Sequence, residues 1–430
     1  MEKSGKFRLT SLERNWILYD VGNSAFVLMV ATLIPIFFNA LAEAGGLSSV
    51  EYLAYWGYAS SAVTVITAVL SPILGTVADT KGFKKPIFIL CVFVGIVGCC
   101  AMGAAAAWLP FLVIFVIAKV GFSGSLVFYD SMLSDVTTPE RMDEVSSRGY
   151  AWGYIGSCVP FVVCLGLVLG AGSIGISQMT ALNLALLLTA AWWLLTTLPL
   201  LKSYKQLHYV EVEKHAVRQS FARIGHTLRH LPEDKQVFWF LLAFFCYIDG
   251  VYTIIDMATA YGTALGLDTT GLLLALLVTQ IVAFPSALIF GRLSNKYPSA
   301  KLIPVCIAAY AGIAVFAFFL TQQWQFWVLA VIVGMFQGGV QALSRSHFAK
   351  IIPPEKSGEY FGLFDICGKG ASFLGTTLIA MVSQLTDGQS FHVFGLELQN
   401  ENIAVGTLVV IFAIGFVLFC KADRLNNTIS

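Results

Sequence analysis

Apolar residues along this chain come in stretches of about 20, the length a helix needs to cross ~30 Å of hydrocarbon. Reading from one charged cluster to the next gives twelve such spans. They run at about 16–41, 52–78, 86–108, 110–134, 147–170, 176–201, 236–265, 270–291, 302–321, 324–348, 359–385 and 402–420. Barrel strands would need alternation over about ten residues. That alternation is missing, so every span is predicted to be a helix. The longest polar interval, 202–235, separates six spans in 1–201 from six in 236–430. The expected architecture is an all-α membrane protein of two six-helix bundles joined by a linker.

Composition supports this reading. Hydrophobic residues make up 57% and charged residues 12%, against about 25% charged in soluble domains. The balance excludes a soluble enzyme, a nucleic-acid-binding protein and a secreted disulfide scaffold. The nine cysteines lie inside or at the ends of spans, so they read as small packing residues. The polar start through Asn15 lacks the pattern of a removable signal peptide.

Net charge is close to zero, but its placement is informative. Of 26 Lys and Arg, 24 fall in alternate connections, whereas the connections near 42–50, 171–175, 265–270 and 386–400 hold none. The positive-inside rule then predicts cytoplasmic termini. Trp108, Trp324 and Trp327 are expected at the outer interface, and Trp16 and Trp239 at the inner one. The linker places Phe221, Ile224, Leu228 and Leu231 on one helical stripe with Arg218, Arg223 and Arg229 largely elsewhere. That pattern fits a helix lying on an anionic leaflet, and equally a basic linker without fixed structure.

The two halves show a faint internal repeat. TTPERMDEVSSRGYAWG (137–153) resembles IPPEKSGEYFGLFDI (352–366) with a two-residue gap, and each follows the fourth span of its half. Pairing Pro139 with Pro354 sets Asp130 opposite Arg345, opposite charges at equivalent ends of spans four and ten.

A charge at bilayer depth costs about 2.5–3.5 kcal/mol, so it faces protein or water. Spans three, six, nine and twelve have no charge in their interiors. Span one has Asp20, four has Lys119 and Asp130, seven has Asp249 and Asp256, and eleven has Asp365 and Lys369. A central polar cavity follows. Asp249, Tyr252, Thr253 and Asp256 share one helical face, with the two carboxylates about 10 Å apart. Asp20, Asn23 and Ser24 form a similar face in span one. Asp365 and Lys369 are spaced to pair within their own helix, a pairing that serves either insertion or function. Asp20 can equally be solvated near the inner interface, and Asp256 can face an outer vestibule. No buried His relay, metal cluster, nucleophile elbow or complete P-loop is present, so no cofactor or metal is expected.

GTVADTKGFKK (75–85) matches the signature G-x-x-x-D-x-x-G-x-[KR]-[KR] between the second and third helices of the major facilitator superfamily, through Gly75, Asp79, Gly82, Lys84 and Lys85. The second-half counterpart, GRLSNKYP (291–298), has Asn295 for the acid and Pro298 for the second glycine, which leaves an ionic latch there in question. WILYDVGNSAF (16–26), YIDGVYTIIDMA (247–258) and GGVQALSRSHFAKIIPPEKSGEYFGLFDICGKGASFLG (338–375) resemble the vacuolar amino-acid effluxers of autophagy and their bacterial relatives. The resemblance covers essentially the whole chain. It implies alternating access, helices one, four, seven and ten around the cavity, and functional roles for Asp20, Asn23, Asp249, Gly250, Arg345, Asp365 and Lys369.

These readings converge on a secondary active transporter for a small polar solute such as an amino acid, coupled to protons. A multidrug or metabolite exporter is the alternative, and a non-transporting sensor or lipid-handling protein on the same scaffold a further one. The substrate and proton groups are expected among Asp20, Asn23, Lys119, Asp249, Tyr252, Asp256, Asp365 and Lys369. The gate groups are expected to be Asp130, Arg345 and the signature residues, with Asp79 reaching the N–H groups of Glu359 and Tyr360. The expected setting is a monomer in the lipid bilayer of the plasma (inner) membrane, or of the vacuole in a eukaryote.

Overall fold

In the computed structural model, the described residues are 7–211, 224–227, 229–264, 269–320, 322–385, 391–393, 396–398 and 400–429. Among them, eleven helices are long and apolar enough to cross a membrane. The eleventh predicted span is the helix Ser357–Leu385, in which Leu374–Leu385 is an apolar stretch and the side chains of 369–373 lie outside the described residues. Most of the linker stripe, 212–223 and 228, lies outside the described residues, as do the side chains of Asp256 and Lys369.

The first span begins earlier than expected, because Thr10 and Glu13 make a reciprocal capping box. It is also broken, into α1 (Ser11–Ala31) and α2 (Leu33–Ala44). Pro35 explains the break: it lacks an N–H, and its ring crowds the carbonyl of Ala31 four residues back. Then follow α3 (Ser49–Ala78), α4 (Lys84–Gly103), α5 (Trp108–Ser131), the short α6 (Leu133–Val136), α7 (Met142–Leu169) and α8 (Gln178–Ser203). The second half comprises α9 (Lys235–Ala264), α10 (Thr269–Leu293), α11 (Ser299–Phe318), α12 (Gln323–Ile351), α13 (Ser357–Leu385), α14 (Asn400–Gly406) and α15 (Leu408–Ile429). An unexpected feature is a small antiparallel hairpin, Phe391–Val393 with Leu396–Leu398, between α13 and α14.

Within the first half, α1 packs on α7 and α8, and α5 on α3 and α4. Within the second, α9 packs on α13 and α15, and α12 on α10 and α11. The two halves meet chiefly where α3 and α5 touch α13, and where α7 touches α10 and α12. The polar contacts across this seam gather at the end of the helices that carries the Lys- and Arg-rich connections, here termed the basic end.

The start of the linker is tied to that end. Val210 N–H donates to the Asp79 carbonyl at 2.8 Å, and Gln206 accepts from Gly82 N–H at 2.9 Å. Asp135 accepts from Leu207 N–H, His208 N–H and the Tyr204 hydroxyl. Tyr209 and Glu211, the latter 3.3 Å from its Nζ, push the Lys81 ammonium up from its ordinary range.

Candidate functional site

The seam at the basic end centres on Arg345 of α12, which is 2% exposed. Its Nη1 is 3.0 Å from Asp130 of α5 and 3.7 Å from Asp20 of α1. Its Nε donates to Ser146 Oγ at 2.9 Å, and its Nη2 to the Ser146 carbonyl at 3.0 Å. The guanidinium also lies over three rings, at 4.3 Å from Tyr150, 4.7 Å from Trp16 and 5.4 Å from Tyr129. Tyr129 donates to Asp20 at 3.1 Å, and Trp16 stacks on Tyr129 and donates its indole N–H to the Tyr129 carbonyl. One cation from the second half is thus held by two carboxylates, a serine and an aromatic cage, all from the first. Such a planar, five-donor arrangement suits arginine and not lysine.

A second contact forms at the signature turn. Asp79, fully buried, accepts from Gly358 N–H at 2.7 Å and Glu359 N–H at 2.8 Å. The expected donors are Glu359 and Tyr360, so the anion sits one residue nearer the start of α13. That position is closer to the positive end of the helix dipole. Lys84 lies 3.6 Å from Asp79 and 3.9 Å from Asp135, and donates to Ser357 Oγ at 2.8 Å. Lys85 instead reaches the Tyr204 carbonyl on the linker side, at 3.4 Å. The glycines of the signature have separate reasons. Gly82 adopts φ +79°, which a side chain strains. A Cβ on Gly75 would come within 2.1 Å of the Gly358 carbonyl oxygen, so α3 and α13 approach too closely for anything larger.

The other expected residues are distributed more widely. Asp249 of α9 is fully buried, and its Oδ1 accepts from Leu374 N–H of α13 at 3.1 Å. Its Oδ2 and the neighbouring Thr253 hydroxyl have no hydrogen-bond partner among the described residues. Lys119 places its ammonium 4.8 Å from the Phe122 ring, one turn along its own helix. Asp365 accepts from Ser71 Oγ of α3 at 2.7 Å, so it belongs to the seam. Asn23 is buried beside the Asp20 face, and Tyr252 is half-buried. Asp20 therefore joins Arg345, while Lys119 and Asp249 stay with the helices expected around the cavity.

Several seam residues carry little sequence signal. Tyr129 looks like an ordinary packing residue until the two halves are docked, Ser146 and Tyr150 are marked only by the faint repeat, and Trp16, expected at the inner membrane interface, is instead fully buried against Arg345. Tyr154 donates to Gln341 at 2.6 Å, and Ser346 to Asp143 at 2.6 Å. The adjacent acids Asp143 and Glu144, just before the predicted span 147–170, are the available hint. Among the described residues, no group of three His, Cys, Asp or Glu is placed to hold a metal ion.

This architecture defines the class. The human organic anion transporter MFSD10 superposes on this chain with a TM-score of 0.71 at 14% identity, covering 95% of this chain and 98% of that one. The fold is that of the major facilitator superfamily. Within it, the family model described as "Vacuole effluxer Atg22 like" matches residues 11–140 and 134–420, and the chain belongs to that family. An uncharacterized MFS-type transporter of Bacillus subtilis (strain 168), YxiO, is 41% identical over 426 residues, 98% of this chain and 97% of its own length. Autophagy-related protein 22 of Coccidioides immitis (strain RS) is 25% identical over 296 residues, 58% of this chain. The chain spans about half, 48%, of that fungal relative. The protein is a multi-pass membrane protein of a transporter family.

Proposed function

We propose that the protein is a secondary active transporter that moves a small polar solute, of which an amino acid is the leading candidate, by alternating access coupled to protons. The observation that carries this reading is the seam. Arg345 and Asp79 join the two halves at the basic end through buried, directional contacts that can form and break as units. In this proposal the halves 1–201 and 236–430 are the moving bundles. Arg345, Asp130, Asp20 and the Asp79 turn are the inner gate, and the state described is closed toward the cytoplasm. Lys119 and Tyr252 are assigned to substrate binding and Asp249 to the proton, since a cation suits the carboxylate of the solute and a buried carboxylate suits a proton. Asn23, Asp256, Asp365 and Lys369 remain candidates around the same cavity. The protein works as a monomer in the plasma (inner) membrane.

One observation favours the alternative of an exporter for less polar solutes. A pocket of about 70 Å³ within the second half is lined mostly by apolar side chains such as Ile254, Phe326, Val333 and Leu408, with Thr279 and Gln337 among them. Thermal-shift measurements on the purified protein, with amino acids, organic acids, sugars and lipophilic amines, decide between the readings by mass action. Stabilisation by lipophilic amines alone overturns the polar-solute reading. Ligand-stabilised protein that then moves nothing into sealed proteoliposomes overturns transport itself.

The orientation has its own test. In a cysteine-free background, Ser173→Cys should react with an impermeant thiol reagent added outside cells, and Lys296→Cys should react only after permeabilisation. The opposite pattern reverses the orientation and makes the basic-end gate an outer one.

A further inference from the structure

The signature turn of the first half has a partner in the second half whose acid is missing, and the structure shows what stands in its place. Gly291, at the position equivalent to Gly75, is also closely packed, though less tightly than its counterpart. A Cβ on it would lie 2.8 Å from Ser147 Cβ and 3.6 Å from Glu144 Cα on α7. Gly75 packs on the start of α13, and Gly291 packs on the start of α7. Four residues after each glycine comes the latch position. Asp79 is an acceptor that receives N–H groups from the opposite half. Asn295 is a donor instead, and its Nδ2 lies 2.8 Å from Glu144 Oε2 on the opposite half. Glu144 is 2% exposed. Its other oxygen, Oε1, is held by Arg148 one turn further along α7.

We propose that Glu144 and Asn295 form a second latch of the inner gate, in which the acid has moved from the turn to the helix it grips. This inference rests on the alternating-access reading. Each latch has one carboxylate, and each carboxylate keeps a cation on its own half. Lys84 stays with Asp79, and Arg148 stays with Glu144. When the seam parts, the carboxylate loses its cross-half donors but not its resident cation, so neither state leaves a bare charge. The latch can therefore open and close repeatedly, and Glu144 acts as a positioning residue without touching substrate. The erosion of the second signature is then a change in polarity, with the contact itself retained.

The chemistry permits an exchange test. Asn295→Asp sets two carboxylates against each other and should open the seam. Glu144→Gln alone should be mild, because the new amide still accepts from Arg148 while the Asn295 amide can turn its oxygen toward the new N–H group. In the double variant, Glu144→Gln with Asn295→Asp, the introduced amide accepts from Arg148 through Oε1. Its Nε2 donates to the introduced carboxylate across the seam, which restores the latch with its polarity reversed. The reporter is Ser147→Cys in a cysteine-free background. Ser147 is fully buried against Gly291, and its hydroxyl has no hydrogen-bond partner among the described residues.

Thiol labelling of that reporter should rise about tenfold in Asn295→Asp, the effect of one lost charge-assisted hydrogen bond. It should return to within about twofold of the parent when Glu144→Gln is added. A double variant that labels as fast as Asn295→Asp overturns the latch. The wider reading is checked separately with Asp130→Asn, which should also raise labelling of the parent reporter. If it does not, the inner gate itself fails, whatever the exchange shows.

Discussion

Replacing Arg345 by lysine should abolish nearly all transport while leaving the protein folded in the membrane. The charge survives, but the geometry does not. Lysine cannot reach Ser146 Oγ, the Ser146 carbonyl and Asp130 together, nor lie flat between Trp16 and Tyr150. Losing two hydrogen bonds made by a charged group should raise the closed state by about 3 kcal/mol. At 1.36 kcal/mol per factor of ten, that shifts the equilibrium by roughly a hundredfold. Arg345→Gln should be worse, about 3–5 kcal/mol, because Asp20 and Asp130 are left buried without their cation. Asp130→Asn should be milder, since Arg345 retains Asp20, both Ser146 contacts and the rings. The expected order of residual flux in proteoliposomes is native, Asp130→Asn, Arg345→Lys, Arg345→Gln. The reciprocal exchange Asp130→Arg with Arg345→Asp should not recover function. A carboxylate introduced at position 345 would face Asp20, which lies 3.7 Å from the present guanidinium. Flux within twofold of native in Arg345→Lys would remove the arginine from the gate.

How much of this site can be read in the chain depends on what holds each part. The helices are legible because hydrocarbon thickness fixes their length. The Asp130–Arg345 juxtaposition is legible because an internal repeat places equivalent residues at equivalent depths, so aligning Pro139 with Pro354 aligns the two ends. Asp79 at the start of α13 follows from a turn motif and a helix dipole, and sequence spacing misplaces it by only one residue. Contacts set by docking of the two halves are not legible. Periodicity assigns Asp20 to a polar face of α1 but cannot say that the face meets Tyr129 and Arg345 before it meets a solute. Ser146 and Tyr150 lie in the repeat at 137–153, but nothing in that repeat says that they meet Arg345. The break at Thr32 is different: Pro35 alone predicts it, but counting apolar residues passes over it.

Asp249 is the residue on which coupling should depend, and its surroundings make the charge separable from the fold. One oxygen accepts from Leu374 N–H at 3.1 Å, the neighbouring Gly375 N–H adds to the hold on the carboxylate, and Oδ2 is buried without a close hydrogen bond of its own among the described residues. A carboxylate held half-satisfied in a buried site is costly. A proton relieves that cost, and opening the cavity to water on one side relieves it differently from the other. Asp249→Asn can keep its oxygen on Leu374 N–H, so packing and protein level should be unchanged while the titrating group is lost. With one proton moved per substrate, a gradient of one pH unit supplies about 1.36 kcal/mol and supports up to tenfold accumulation. Native protein in proteoliposomes should approach that ratio, and Asp249→Asn should stay at one. Exchange of labelled for unlabelled substrate at equal pH on both sides should continue in the variant at a rate within a fewfold of native, because exchange needs both cavity states loaded but no net proton movement. The paired measurement separates coupling from binding. Loss of exchange along with accumulation would place Asp249 in the substrate site, and undiminished accumulation would exclude it from the mechanism.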